Sequence, residues 1–259
     1  MILIVSFLSN MLCMEPVLTV VLPDGAPPSG LVYLLHGLFG SSGDWLNNTM
    51  LPVYAAEHGV AVIMPEVARS FYADMKYGLN YFSYIVDELP KIVSSAFNIS
   101  SSRETTAIIG ASMGGYGALK SCFARPENYK YCCAFSSPCL FIKEFLDHKR
   151  TPAEVEELKR AYGRQLITDF EAIFGENLEW RADCDVLDMA EKMNRSALMP
   201  KLFLSCGTED HLCPDNKRFA ERIQSLGFDT TFEERHGSHD WYFFDSALRR
   251  ALDFCFSGE

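Results

Sequence analysis

The 259-residue sequence has no cluster of lysine or arginine, no Cys-x-x-Cys pair, no internal repeat and no low-complexity tract. Each absence excludes something. Scattered basic residues and a net charge of -11 argue against a nucleic-acid partner. The nine cysteines (an odd number, several inside apolar runs such as Tyr131-Cys132-Cys133-Ala134-Phe135) read as small core residues rather than a disulfide framework, which points to a reducing cytoplasm. The start, MILIVSFLSNMLCM, lacks the basic segment and small-residue cleavage site of a secretory leader and is too short to span a bilayer, so no membrane partner is expected. Its β-branched residues Ile2, Ile4 and Val5 suit a first strand instead. The chain is not short of apolar residues. At 48% hydrophobic and 22% charged it has a globular composition, and its length is within the reach of one core without disulfides or a structural metal.

Apolar runs alternate with helical patterns. Residues 16–22, 31–35, 60–64, 106–111, 131–136 and 201–206 read as strands, several apolar throughout as expected of strands buried on both faces. Residues 228–234 read as a more exposed strand. Helices are expected over 79–97 with a break at Pro90, and over 113–124, 215–226 and 239–256. This alternation predicts an α/β fold, a mostly parallel central sheet flanked by helices, in a single domain over 1–259. Residues 140–199 interrupt it with helices and no clear buried strand. Thr151-Pro152-Ala153-Glu154 there has the residues of a capped helix start. The stretch is expected to lie over one end of the sheet, either as a cap or as a packing appendage.

The chemistry centres on Gly110-Ala111-Ser112-Met113-Gly114, a G-x-S-x-G pentapeptide between a strand-like and a helix-like run. A serine on such a tight strand-to-helix turn is projected out of the sheet, and the helix N-terminus behind it favours developing negative charge. Ser112 is the expected nucleophile, and the N–H of Met113 an oxyanion donor. A serine hydroxyl needs a base, and in this chain order the acid and then the histidine follow. Asp210 sits just past the strand run 201–206, and His239 on the loop after 228–234. Glu209 is the rival acid and His236 the rival base; His211 reads as an ordinary loop residue. The turn His36-Gly37-Leu38-Phe39-Gly40 offers a second oxyanion donor, with Leu38 preferred over Phe39 and His36 holding the loop.

With these parts assembled, the chain resembles the α/β-hydrolase superfamily, and more narrowly the tributyrin esterase group of the esterase D-like families. The resemblance runs through Leu34-Leu35-His36-Gly37-Leu38, Trp45, Phe71-Tyr72-Ala73-Asp74-Met75-Lys76-Tyr77-Gly78, Asp87-Glu88-Leu89-Pro90, Gly110 to Gly117 and His239-Asp240-Trp241-Tyr242. It is weakest over 140–199, apart from Phe174-Gly175-Glu176. It implies a serine carboxylesterase for short acyl chains that acts on small-molecule acetyl, butyryl and aryl esters, some relatives deacetylating sugars. It needs no metal or organic cofactor and is compatible with a homo-oligomer. Phe39, Trp45, Tyr72 and Trp241 are candidates for the acyl pocket, each with plain packing as the competing reading. The competing functions are thioester hydrolysis of the S-formylglutathione type, a binding protein that has lost catalysis, and a mycolyltransferase-like acyl transferase.

Overall fold

The computed structural model describes residues 1–25, 27–193 and 198–257. Eight strands form one sheet: β1 (Ile2–Ser6), β2 (Val17–Val21), β3 (Gly30–Leu35), β4 (Val60–Pro65), β5 (Thr106–Ala111), β6 (Tyr131–Phe135), β7 (Lys201–Gly207) and β8 (Thr230–Arg235). Their order is β1-β2-β4-β3-β5-β6-β7-β8. Strands β3 to β8 run parallel, while β1 and β2 are antiparallel additions at one edge.

The central strands are buried at every position because both faces are covered. Along β3 the period-two alternation divides the side chains. Leu31, Tyr33 and Leu35 join one core with the helices Leu89–Phe97, Met113–Ala124 and Cys213–Ser225. Val32 and Leu34 join the other, beneath the helices Asp44–Asn48, Leu51–His58 and Trp241–Phe256. No helix among the described residues is long and apolar enough to cross a membrane.

Most boundaries differ from the sequence expectation by one or two residues, and three of the differences have a visible cause. Strand β8 starts at Thr230 rather than 228, because Phe228 is drawn into the core against Phe123 before pairing begins. The last helix starts at Trp241 rather than 239, with Asp240 as its N-cap accepting the Phe243 N–H, so His239 precedes it. The expected helix 79–97 is three pieces: Tyr81–Ser83, a π-helical turn over Tyr84–Glu88, and Leu89–Phe97. Pro90 falls at the second residue of the last piece, directly after the widened turn, where its ring and missing N–H disfavour regular α-helical bonding to the turn before it.

Among the described residues between β6 and β7 are four α-helices, Ile142–Phe145, Pro152–Tyr162, Arg164–Phe174 and Val186–Met193, and a 3-10 turn over Ala182–Cys184. The second begins with the expected capping box. The Thr151 hydroxyl accepts the Glu154 N–H, and the Glu154 carboxylate accepts the Thr151 N–H. Residues 194–197 of the expected insertion lie outside the described residues.

Candidate active site

Strand β5 ends at Ala111, and Ser112 turns the chain into the helix Met113–Ala124 at φ 55° and ψ -126°. A side chain pays steric strain at positive φ, so close packing must impose the turn. It does so through glycines. A Cβ on Gly110 would stand 2.3 Å from the Gly114 carbonyl carbon, and one on Gly114 would stand 2.2 Å from the Leu35 carbonyl oxygen. Only glycine lets the helix start sit this tightly against β3 and β5. The N–H of Met113 belongs to the first turn of that helix, which lacks intrahelical acceptors.

The loop after β3 passes beside this serine, since a Cβ on Gly37 would be 3.6 Å from Ser112 Cβ. Side chains hold the loop from below. Trp45 Nε1 donates to the Leu35 carbonyl at 3.0 Å, and the Tyr72 hydroxyl donates to the His36 carbonyl at 3.0 Å. The buried His36 ring is anchored on both nitrogens: Nδ1 lies 2.8 Å from the Gly37 carbonyl, and Nε2 accepts the Val67 N–H at 3.1 Å. Glu66 completes the support by accepting the N–H groups of Ser42 and Ala68. Burial works to raise the Glu66 pKa, but these two N–H bonds work against it and hold it below the usual glutamate range.

Asp210 lies three residues beyond β7 with its side chain fully enclosed, and its Oδ2 is 2.7 Å from Nδ1 of His239. Its other oxygen accepts the Leu212 N–H at 2.9 Å. Burial again works to raise the carboxyl pKa. Bonds from His239, the Leu212 N–H and the Ser136 hydroxyl overcome it, holding Asp210 below the usual aspartate range. The His239 ring packs edge-on against Phe244 at 5.2 Å and remains partly exposed. The rivals are elsewhere. His236 is 87% exposed and 3.7 Å from Glu209, itself 61% exposed. His211 is 81% exposed, with Nδ1 3.5 Å from Oδ1 of its chain neighbour Asp210.

The C-terminal rim of the sheet is stitched across strands. The Ser112 N–H donates to the Phe135 carbonyl at 2.8 Å and the Ser136 N–H to the Ser205 carbonyl at 2.9 Å. Thr208 and Glu209 donate to the Arg235 and Gly237 carbonyls at 2.8 and 2.9 Å. Ligand sites in such sheets gather at this rim. The sequence reading passed over Ser136, although its place directly after β6 is the signal that could have found it.

The aromatic candidates separate. Trp45 and Tyr72 are 1% and 0% exposed and spend their polar atoms on the loop, so they brace it rather than line an open pocket. Phe39 is 93% exposed, with the Arg69 guanidinium 5.4 Å from its ring centroid. Trp241 packs edge-on against Trp45 at 5.2 Å. A small apolar cavity that the sequence did not suggest lies under the helices of 140–199, lined by Phe71, Tyr116, Cys139, Phe170 and Phe174 among others. Among the described residues, no group of three or more His, Cys, Asp or Glu side chains is placed to hold a metal ion.

Comparison with known proteins agrees with this architecture. The chain is 28% identical to the acetyl esterase of Caldicellulosiruptor saccharolyticus over 265 residues, covering 96% of each. Its fold matches the substrate-bound fluorophosphonate-binding serine hydrolase F of Staphylococcus aureus with a TM-score of 0.84, at 28% identity over 99% of this chain and 98% of that one. The S-formylglutathione hydrolase apoenzyme of Staphylococcus aureus matches with a TM-score of 0.82, with the same identity and coverage. The Esterase family model matches residues 9–255. The chain belongs to the Esterase family, within the α/β-hydrolase superfamily, and it is a carboxylic ester hydrolase.

Proposed function

We propose that this chain is a serine carboxylesterase for short acyl esters, with Ser112 as nucleophile, His239 as general base and Asp210 as the acid that orients it. The observation carrying the proposal is the 2.7 Å contact between His239 Nδ1 and a fully enclosed Asp210, on the same rim as a serine forced to positive φ. His239 takes the Ser112 proton as the oxygen attacks the ester carbonyl. Asp210 fixes the imidazole tautomer and stabilises the imidazolium. The N–H groups of Leu38 and Met113 receive the oxyanion, each worth roughly 10²–10³ in rate. The alcohol leaves with the proton from His239, and water then hydrolyses the acyl-serine by the same route in reverse.

The acyl group faces Trp241 and Phe39 at the mouth, and the cavity bounded by Phe71, Tyr116 and Phe170, at about 10 Å³, has room for a single water-sized group and does not seat it. Residues 140–199 act as a cap on a single α/β-hydrolase domain spanning 1–259. Nine unpaired thiols suit a reducing cytoplasm. Acetyl esters are the first substrates to try, by likeness to the acetyl esterase. Thioester hydrolysis is the second reading, favoured by the equal likeness to an S-formylglutathione hydrolase.

The test is hydrolysis of p-nitrophenyl acetate, butyrate, octanoate and laurate beside S-formylglutathione, with Ser112→Ala as control. A serine-dependent rate greatest on acetate or butyrate is expected. A faster rate on the thioester would move the assignment to the second reading. Turnover persisting in Ser112→Ala would overturn the nucleophile.

A further inference from the structure

The segment after β4 carries an arginine that the ester chemistry does not use. Arg69 lies between two residues that both hold His36. The Val67 N–H donates to His36 Nε2 at 3.1 Å, and the Tyr72 hydroxyl donates to the His36 carbonyl at 3.0 Å. The segment is therefore fastened to the loop that passes Ser112. It is also strained, since Ala68, Phe71 and Tyr72 stand at φ 49°, 48° and 51°. Side chains held at positive φ in such close succession cost stability, and strain of this kind gathers at active sites and ligand clamps.

A buried partner sets the direction of the guanidinium. Arg69 Nε and Nη2 both donate to Oδ2 of Asp169, at 3.0 and 2.7 Å. Asp169 is 8% exposed on the helix Arg164–Phe174, and the Gln165 amide donates to its other oxygen at 3.0 Å. These bonds use one edge of the guanidinium. The second edge, between Nη1 and Nη2, is open: among the described residues Nη1 has no hydrogen-bond acceptor, and the side chain is 32% exposed. Two parallel N–H groups on such an edge match the two oxygens of a carboxylate.

The edge stands at the mouth of the site. Gly37 approaches Ser112, Phe39 follows two residues later with its ring 93% exposed, and the Arg69 guanidinium lies 5.4 Å from that ring's centroid. Going outward from Ser112, the wall is thus first aromatic and then cationic. A net charge of -11 repels an anion from most of the surface, which makes an open guanidinium edge here selective.

We propose that Arg69 determines substrate choice by taking a carboxylate at the far end of the acyl group, so that the preferred substrates are monoesters of short dicarboxylic acids. This choice rests on the serine esterase chemistry assigned to Ser112. The acyl carbon is attacked by Ser112, the methylene chain crosses the Phe39 ring, and the terminal carboxylate meets the Nη1–Nη2 edge. Asp169 is a positioning residue that holds Arg69 by its other edge. Hydrolysis releases the alcohol and the free dicarboxylic acid.

The experiment compares kcat/KM for monomethyl succinate and monomethyl glutarate with that for methyl isocaproate, in which an isopropyl end replaces the succinate carboxylate. All three release methanol, so the ratio of rates is the readout and any general loss of activity cancels. Wild type should favour the half-esters by about tenfold, the low end for a hydrogen bond between charged groups. Removing Arg69 alone would leave Asp169 buried without its cation, so the pair is exchanged together as Arg69→Met with Asp169→Leu. This double variant should lose the preference. Asp169→Asn keeps an oxygen toward Arg69 but removes the opposing charge, so the preference should rise by about twofold. A pair that only braces the helices would lower all rates together and leave every ratio unchanged, which would overturn the proposal. A wild-type ratio at or below one, with Ser112-dependent turnover of methyl isocaproate intact, would overturn it and leave the esterase reading standing. A preference that the double variant retains would place carboxylate recognition elsewhere and overturn it equally. So would an Arg69-dependent preference for carboxymethyl acetate over isobutyl acetate, since the carboxylate would then enter on the alcohol.

Discussion

Replacing Asp210 with asparagine tests the candidate site at one atom. The carboxylate has two separate duties. Oδ1 accepts the Leu212 N–H, and Oδ2 faces Nδ1 of His239 at 2.7 Å. Asparagine can keep an oxygen toward Leu212, so the loop stays in place, but its amide NH₂ then faces the ring. His239 must offer a lone pair at Nδ1, which moves its proton to Nε2 and removes the base that Ser112 needs. The same exchange in a serine protease costs about 10⁴ in kcat, or about 5 kcal/mol of transition-state stabilisation. The fold should lose no more than the net worth of a charged hydrogen bond, about 1.5–3 kcal/mol. The assay is kcat/KM on p-nitrophenyl acetate beside a thermal melt. Glu209→Gln is the control; that carboxylate is 61% exposed and should change the rate less than twofold. Activity of Asp210→Asn within tenfold of wild type, or a larger loss in Glu209→Gln, would refute the assignment of the acid.

Two more outcomes follow from groups under strain or pairing. Ser112→Gly removes both the nucleophile and the steric cost of φ 55°, so it should abolish ester hydrolysis while raising the melting temperature by about 2–4 °C, from about 1 kcal/mol of strain. A variant that melts lower than wild type would show that the turn is not strained. Glu66 has a folded pKa below its ordinary 4.5, so its contribution to stability is complete above pH 4.5 and fades as pH falls below it. Its two N–H bonds set a ceiling of about 3 kcal/mol, reduced by its 29% exposure. Glu66→Gln should therefore flatten the acid limb of a urea-midpoint-versus-pH curve below about pH 5, and an unchanged limb would contradict these bonds.

Much of the architecture was readable because burial on both faces writes itself as uninterrupted apolar runs, as in Val60 to Met64 and Thr106 to Ala111. Local chemistry was readable for the same reason. The small residues around Ser112 and the capping residues at Thr151 act within a few positions of chain. What escaped depends on distant contacts. Trp45 and Tyr72 look the same in sequence whether they line a pocket or brace a loop; the Leu35 and His36 carbonyls decide it. Phe228 reads as strand until Phe123 claims it. The π turn over Tyr84–Glu88 has Pro90 as its only local sign. Ser136 gains meaning only once β7 brings Asp210 beside it.

The stitches along the C-terminal rim have a consequence in time rather than in space. Ser112 hangs on β6, Ser136 on β7, Thr208 on the end of β8 and Glu209 on the chain just beyond it. No single loop there can open without releasing a bond to its neighbour, and the neighbours include the fully buried β5 and β6, which is buried beyond Tyr131. Such bonds break only in the largest cooperative openings of a protein. The rim and the sheet centre therefore share one clock. On heating, ester hydrolysis should disappear in the same transition as the sheet, with no lower-temperature step in which the fold survives its own chemistry.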